Sequence, residues 1–245
     1  MLLIDFGNSR LKWALGHGPD AWTSQGWFGA DRLGLAMDEQ WQSLCPPERV
    51  VMASVASDAS TQQVVQWIDC HWSVAPLIVV AEAETLGLHN SYQPSHRLGS
   101  DRWAAMLGAR ALASGGYCIV DCGTAVTVDG VNAGGEFLGG VIMPGLALAR
   151  TALALGADGI DDEIPTGGYG VQCRDTAAAV ASGTLYGIAG GIDRVLTEFK
   201  SDQADVELFI TGGDAQTLAP VLTHQTQWVP DLVLRGLARI AEQHL

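Results

Sequence analysis

A short polar motif places an acidic residue next to a positively charged one. Gly99, Ser100, Asp101 and Arg102 precede an Ala-rich stretch that predicts a helix over 101–113. A carboxylate held in a cleft can accept the proton of an attacking hydroxyl group, and the neighbouring guanidinium can bind an anionic part of the same substrate. A plainer interpretation also fits: Ser100 or Asp101 caps the helix and Arg102 is solvated.

Two further motifs are typical of phosphate binding, and each follows an apolar strand. Residues 5–9 have the sequence D-F-G-N-S and residues 121–125 have D-C-G-T-A, so each places an Asp two positions before a Gly. The carboxylate can hold a cation or a metal-bound water, and the glycine lets backbone N–H groups approach phosphate oxygens. One such turn between strands is common, but two at matching positions favour a nucleotide site.

Short neutral hydrogen-bonding groups follow both Asp residues. They come from Asn8, Ser9 and Thr124. Two interpretations of Lys12 are open: it supplies a positive charge near the phosphates, or it is simply an exposed lysine on a strand. The first candidate phosphate-binding segment comprises Asp5, Phe6, Gly7, Asn8, Ser9, Arg10, Leu11 and Lys12.

A third glycine motif follows the apolar run 207–210. Thr211, Gly212, Gly213 and Asp214 stand between this strand and the next predicted helix. Such a turn can form the floor of a nucleotide base or ribose site, or simply an ordinary strand-to-helix connection.

Strand and helix patterns alternate along the chain, which predicts an α/β fold. Strands are predicted over 2–5, 11–15, 49–55, 77–80, 117–121, 124–131, 137–143 and 207–210, and helices over 57–70, 101–113, 176–199 and 232–242. The two Asp-x-Gly motifs lie 116 residues apart, close to half of the chain. We therefore predict two related halves, 1–114 and 115–245.

The composition disfavours several classes of partner. The 245 residues carry a formal net charge of −14, whereas nucleic acids and anionic membranes call for clustered Lys and Arg. We expect no membrane span, because the apolar stretch 176–192 is short and rich in Ala, Gly, Ser and Thr. The five cysteines form no C-x-x-C pair, which favours a cytoplasmic location, and Cys118 and Cys122 are predicted to be buried thiols.

Five motifs in this order resemble the type III pantothenate kinase family of the acetate and sugar kinase, Hsp70 and actin superfamily. The matching segments are 5–9 with Lys12, the G-x-D-R motif at 99–102, residues 121–129, residues 139–145, and 211–213. The resemblance runs through the whole chain. Ser9 stands where the family more often has Thr, and residues 155–164 depart from the family's more regular pattern.

The resemblance implies ATP-dependent phosphorylation of pantothenate to 4'-phosphopantothenate, the first step of coenzyme A biosynthesis. Asp101 would be the general base, and Asp5 would face Mg²⁺ through water. Asp121 would hold a monovalent cation, K⁺ or NH₄⁺, and Thr124 would contact ATP, as would Gly212 and Gly213 of the adenosine motif. The substrate pocket would be lined by Tyr92, Gly99, Ser100, Asp101, Arg102 and, from a partner subunit, Thr176.

The same resemblance implies an actin-like ATPase fold, with two ribonuclease-H-like halves around a central nucleotide cleft, and a homodimer. Small residues recur every four positions in the predicted helix 176–199, at Ala179, Gly183, Gly187 and Gly191. This stripe would allow close helix packing, either at the dimer interface or within one subunit.

Two other functions remain open from the sequence. A non-catalytic transcriptional accessory or regulatory protein could use the same scaffold, and so could a phosphatase or ATPase without a pantothenate pocket. The presence of Asp101, Arg102 and Thr176 argues against the first, and the G-x-D-R motif argues against the second.

Overall fold

The structure is a computed structural model, and it describes residues 1–18, 21–160, 167–202 and 205–243. The chain folds into two compact units. The first consists of the described residues of Met1–Leu112, Gly135–Phe137 and Asp231–Leu245, and the second of those of Ala113–Gly134 and Leu138–Pro230.

The first unit contains a five-stranded sheet of order β3-β2-β1-β4-β5. Its strands are β1 (Leu2–Phe6), β2 (Arg10–Gly16), β3 (Trp22–Gly29), β4 (Val50–Ser54) and β5 (Leu77–Ile78), and a small hairpin adds β6 (Glu84–Thr85) and β7 (Leu88–His89). Strand β1 runs antiparallel to β2 and parallel to β4. All five residues of β1 are buried, as expected for a central strand covered on both faces.

Helices cover this sheet. They are α1 (Leu33–Trp41), α2 (Asp58–Trp72), α3 (Ser100–Arg110) and the last helix of the chain, α7 (Leu232–Gln243). Alternate β1 residues such as Ile4 join the core made with α1 and α2, where Trp41 is fully buried. Helix α7 packs on α3, β1 and β4. A Cβ at Gly236 would lie 1.8 Å from the Ala104 carbonyl oxygen, so glycine permits this close crossing.

The second unit repeats the same sheet order, β10-β9-β8-β11-β12. Its strands are β8 (Tyr117–Cys122), β9 (Ala125–Val131), β10 (Phe137–Pro144, whose first residue belongs to the first unit), β11 (Glu207–Thr211) and β12 (Gln227–Trp228); its helices are α4 (Leu146–Gly156), α5 (Thr176–Asp202) and α6 (Ala215–Leu218). Strand β8 runs antiparallel to β9 and parallel to β11, as β1 does to β2 and β4. Both sheets therefore have the mixed, ribonuclease-H-like order.

The α/β class is confirmed, and most predicted elements lie within two or three residues of the observed bounds. The sequence did not predict β3, α1 or α4. Strand β3 (W-T-S-Q-G-W-F-G) is an edge strand with mostly part-exposed or exposed residues, so it lacks a continuous apolar run. None of the described helices is long and apolar enough to cross a membrane.

The cysteine prediction is also confirmed. All five cysteines are free, and Cys118 and Cys122 are buried in the core beneath β8. Burial raises the pKa of Cys118 to about 12 and that of Cys122 still further, so both thiols stay protonated and act as small apolar side chains.

Candidate active site

The first Asp-x-Gly motif forms the tight turn between β1 and β2. The Gly7 N–H donates to the Arg10 carbonyl oxygen at 3.0 Å, and Asp5 pairs directly with Lys12 across the two strands. The Lys12 Nζ lies 3.9 Å from the Asp5 Oδ2, with the carboxylate largely buried and the lysine one-third exposed. Lys12 is therefore held beside the motif and is more than a solvated strand lysine.

The other residues of this segment divide into buried and exposed groups. Phe6 and Leu11 are fully buried in the core, so only their backbones could contact a ligand. Asn8 and Ser9 are exposed at the turn. The Arg10 guanidinium lies over the Trp27 indole, 4.9 Å from the ring centroid, which keeps it at the β2–β3 surface.

The G-x-D-R motif lies at the start of α3. Ser100 is buried, and its Oγ donates to the Ser54 carbonyl and accepts from the Ser54 N–H, both at 3.1 Å. These bonds fix the first turn of α3 to the end of β4. The helix cap is Gly99, where an added Cβ would lie 2.6 Å from the Asp101 Oδ1, so a side chain at this position would crowd the carboxylate.

Asp101 is the strongest candidate for an acid–base group. Its Oδ1 accepts a hydrogen bond from the Arg102 N–H at 2.7 Å. Burial raises the pKa of Asp101 above its ordinary value, although the Arg102 N–H and charge partly oppose the shift. A raised pKa makes a carboxylate a better proton acceptor.

Arg102 is buried, with only 7% of its surface exposed, so the solvated interpretation is wrong. Its Nη1 donates to the Tyr92 Oη at 3.2 Å. The guanidinium carbon lies 5.8 Å from the ring centroids of both Tyr92 and Phe137. The structure thus brings Tyr92 and Phe137 to Arg102, the neighbour of Asp101; Tyr92 is one of the predicted pocket residues, and Phe137 was predicted only as a strand residue.

The second Asp-x-Gly motif occupies the matching place in the second unit. Asp121 is the penultimate residue of β8, as Asp5 is of β1. The Gly123 N–H donates to the Ala125 carbonyl at 3.0 Å, and the exposed Thr124 accepts the Gly145 N–H at 3.0 Å through its carbonyl oxygen. The start of α4 is thereby joined to this turn.

The third glycine motif lies beside the second within the same unit. Gly212 has φ +93°, and an added Cβ would lie 2.4 Å from the Cys122 carbonyl oxygen. The Asp214 N–H donates to that same oxygen at 3.0 Å. The exposed backbone of Gly213 is therefore next to the phosphate-type turn, an arrangement suited to a nucleotide.

Thr176 is the exposed first residue of α5, in the second unit. The Asp175 Oδ1 accepts the Ala178 N–H at 2.8 Å and caps the helix. On the exposed face of α5, a Cβ at Gly183 or Gly187 would meet no described atom within 4 Å apart from its chain neighbours and the adjacent helix backbone, whereas a Cβ at Gly191 would lie 3.0 Å from the Met143 Sδ.

A divalent cation would fit these motifs only if the protein supplied one or two of its ligands. Within the described ranges, no group of three or more His, Cys, Asp or Glu residues could hold a metal. Mg²⁺ needs no such cage, because it commonly keeps several waters and is bound by one or two carboxylates together with substrate phosphates. Asp5 and Asp121, each at a strand end before a phosphate-type turn, match that kind of ligand.

Two units with the same mixed sheet, each with an Asp-x-Gly turn after its first strand, define the fold class of the actin-like ATPases and sugar kinases. Solved structures agree on the fold. A ROK family glucokinase from Streptomyces griseus superposes with a TM-score of 0.54 at 10% identity, over 99% of both chains. A Campylobacter jejuni protein described as a Baf family transcriptional activator gives 0.60 at 20% identity, over 100% of this chain and 98% of that one.

Sequence similarity identifies the family. The sequence model of type III pantothenate kinase matches residues 1–198. A type III pantothenate kinase from Nitrosococcus oceani is 38% identical over 249 residues, covering 99% of this chain and 94% of the relative. The chain belongs to the type III pantothenate kinase family, and it is an enzyme.

Proposed function

We propose that this chain transfers the γ-phosphoryl group of ATP to pantothenate, with Asp101 as the general base. Membership of the family supports the reaction, which gives 4'-phosphopantothenate and begins coenzyme A biosynthesis. The observation that carries the proposed mechanism is the partly buried Asp101 carboxylate, whose pKa is raised by desolvation, at the N-terminus of α3 beside the buried Arg102.

Asp101 accepts the proton of the pantothenate hydroxyl as that oxygen attacks the γ-phosphorus. The bond between this phosphorus and the bridging oxygen of ADP breaks, and ADP leaves with the electron pair. Because the phosphoryl group reacts with little covalent help, positioning and charge neutralisation supply most of the catalysis.

Arg102 binds the carboxylate of pantothenate, and Tyr92 supports it through the Oη contact. Gly99 leaves room for the substrate beside Asp101. The described hydrogen bonds of Ser100 go to Ser54, so Ser100 serves the pocket chiefly by fixing the first turn of α3.

The candidate ATP-binding groups are the phosphate-type turn of each unit and, in the second unit, the third glycine motif as well. The backbone of residues 6–11 with Asn8 and Ser9, and the hydroxyl of Thr124, supply hydrogen bonds, while Lys12 supplies positive charge. Gly212 and Gly213 contact the adenosine. Among these groups, Lys12 has a structural argument of its own, because Asp5 holds its ammonium at the first turn.

Cations complete the proposed site. Mg²⁺ would be held near Asp5 through water and K⁺ or NH₄⁺ by Asp121. When bound, they would neutralise phosphate charge that a protein with net charge −14 otherwise opposes.

The active enzyme is proposed to be a cytoplasmic homodimer in which Thr176 reaches the partner's pantothenate pocket. Gly183 and Gly187 support this, since nothing described packs on them. Large apolar side chains are also exposed in the same unit, namely Leu138, Val141, Ile142, Leu148, Leu153, Leu155, Val171 and Tyr186. Large apolar side chains are exposed in the first unit as well, so this observation supports an interface at α5 only together with the two open glycines. The five free thiols suit a reducing cytoplasm.

Two related halves, 1–114 and 115–245, are proposed to have arisen by duplication. The shared strand order supports this. The closing helix α7 of the second half packs within the first unit, and so do residues 135–137, whereas residues 113–114 belong to the second unit. The folded units therefore depart from the halves of the sequence at these places.

A coupled ADP-release assay tests the function. Wild type should release ADP only with pantothenate, and faster with K⁺ than without a monovalent ion; Asp101→Asn should lose about 10²–10⁴-fold in kcat. Absence of pantothenate-dependent ADP would refute the reaction, and full activity of Asp101→Asn would refute the base. The regulatory alternative is not favoured, because the likeness to the Baf family protein, at 20% identity, shows the fold alone.

A further inference from the structure

We propose that Phe137 is a positioning residue that fixes the Arg102 guanidinium for the carboxylate of the acid substrate and so sets the enzyme's preference for acids over neutral analogues. This inference rests on the proposed function, since it assigns a selectivity device to the same pocket. The sequence motifs do not include Phe137.

The Arg102 guanidinium lies beside a stacked pair of aromatic rings, those of Tyr92 and Phe137. The two rings stack nearly parallel, with centroids 5.9 Å apart and an interplanar angle of 19°. The guanidinium carbon lies 5.8 Å from each centroid, and Tyr92 also accepts its hydrogen bond. Both rings therefore act on the same cation.

The burial of Phe137 strengthens a cation–π contact whose distance, 5.8 Å, is long for this interaction. Phe137 is fully buried and Arg102 nearly so, and cation–π attraction is worth more when the cation is desolvated. An arginine side chain has many rotamers. Contacts on two rings and one hydroxyl restrict them, so less conformational entropy is lost when the guanidinium binds a carboxylate.

Phe137 is itself held by a dedicated set of contacts in the first unit. The Ser91 Oγ donates to the Phe137 carbonyl. Two residues earlier, the Gly135 carbonyl accepts the His89 N–H at 2.8 Å. A Cβ at Gly135 would lie 2.2 Å from the Gly87 carbonyl oxygen. The connection between β9 and β10 thus packs closely on the β6–β7 hairpin and delivers one aromatic ring to Arg102.

The experiment compares pantothenate with its neutral alcohol analogue, in which CH₂OH replaces the carboxylate. For Phe137→Leu we expect the Kd and KM for pantothenate to rise about 5- to 30-fold, with kcat and the KM for ATP within about twofold of wild type. The Kd for the alcohol should not change. Calorimetric titration gives Kd without turnover.

A matched control is Phe28→Leu, which truncates another buried phenylalanine of the first unit, in the core around Trp41. It should leave the acid-to-alcohol Kd ratio at the wild-type value. Equal ratios for wild type and Phe137→Leu, or the same change in Phe28→Leu, would overturn the role of Phe137.

Ser91→Ala provides a second route should Phe137→Leu fail to fold. Ser91 is exposed, and its loss should weaken pantothenate binding in the same selective way but by less; no change in the Kd ratio would overturn the inference. Wild type that binds pantothenate without releasing ADP would refute the proposed function alone, because the Kd ratio still decides the role of Phe137.

Discussion

Lys12 lies directly opposite Asp5 on the neighbouring antiparallel strand, with its Nζ 3.9 Å from the Asp5 Oδ2. A cross-strand pair holds a flexible lysine in one region of the surface. Here that region is the first phosphate-type turn, whose Gly7 backbone is already closed by a hydrogen bond. The ammonium is thereby positioned before any nucleotide arrives.

Lys12→Ala should raise the KM for ATP and lower kcat, because the variant loses a positioned charge at the phosphates. One charge-assisted contact of this kind is worth about 1.5–3 kcal/mol, which is about 10- to 150-fold in kcat/KM. The chain has one other lysine, Lys200, exposed at the end of α5. Lys200→Ala is therefore the matched control and should leave ATP kinetics unchanged. Equal kinetics for the two variants would contradict the assignment.

The rate of pantothenate phosphorylation should depend on the protonation of Asp101. Because burial raises the pKa of Asp101 above its ordinary 3.8, kcat/KM for pantothenate should rise with pH through a midpoint above that value, as the base loses its proton. The residual activity of Asp101→Asn should lack this step. A wild-type profile that stays flat across the acid range would count against Asp101 as the base.

The same shift predicts a stability gain in Asp101→Asn. The folded protein holds the Asp101 proton more tightly than the unfolded chain does, so its free energy of unfolding falls as pH rises from 3.8 through the raised pKa. An asparagine has no charge to desolvate and can still accept the Arg102 N–H. Urea unfolding should show Asp101→Asn to be more stable than wild type at pH 7 and equal to it below the ordinary carboxyl pKa. A loss of stability at pH 7 would contradict the desolvation argument.

Gly212→Ala should destabilise the second unit for two reasons. Its φ of +93° is strained for any residue with a Cβ, and the added carbon would lie 2.4 Å from the Cys122 carbonyl oxygen. Gly139 has φ +116° with nothing described within 4 Å, so Gly139→Ala measures the backbone strain alone, about 1–3 kcal/mol. In urea titrations Gly212→Ala should lower the free energy of unfolding clearly more than Gly139→Ala does. Equal losses would show that the close approach to Cys122 is unimportant.

The sequence predicted most of the fold because its signals are local. Strand β1 is a short, mostly apolar run, helix α5 is a long stretch uninterrupted by proline, and the repeated Asp-x-Gly turn indicated two related halves. Strand β3 was missed because an edge strand needs little apolar surface. Helix α7 was predicted, but its packing on α3 depends on contacts between residues far apart in the chain, such as Gly236 with Ala104.

The candidate site likewise contains residues that a local motif predicts and one residue that only the fold brings there. Asp101 and Arg102 are adjacent in the sequence, so their motif could be recognised directly. Phe137 lies 35 positions beyond Arg102 and reaches it only because residues 135–137 fold with the first unit. Nothing in the local sequence around Phe137 distinguishes it from other buried strand aromatics.

The exposed face of α5 gives the last prediction. A leucine at Gly187 would fit the isolated subunit, since no described atom lies within 4 Å of its Cβ position, but it would hold a second helix away. If this face forms the proposed dimer, Gly187→Leu should sediment as a monomer. It should also lose activity, because Thr176 could no longer reach the pantothenate pocket of a partner subunit. Gly18→Leu, in the first unit, where an added Cβ would meet no described atom within 4 Å apart from its chain neighbours, should remain a dimer with normal activity. An active dimer of Gly187→Leu would exclude this face from the interface, because a close helix contact leaves no room for the added side chain.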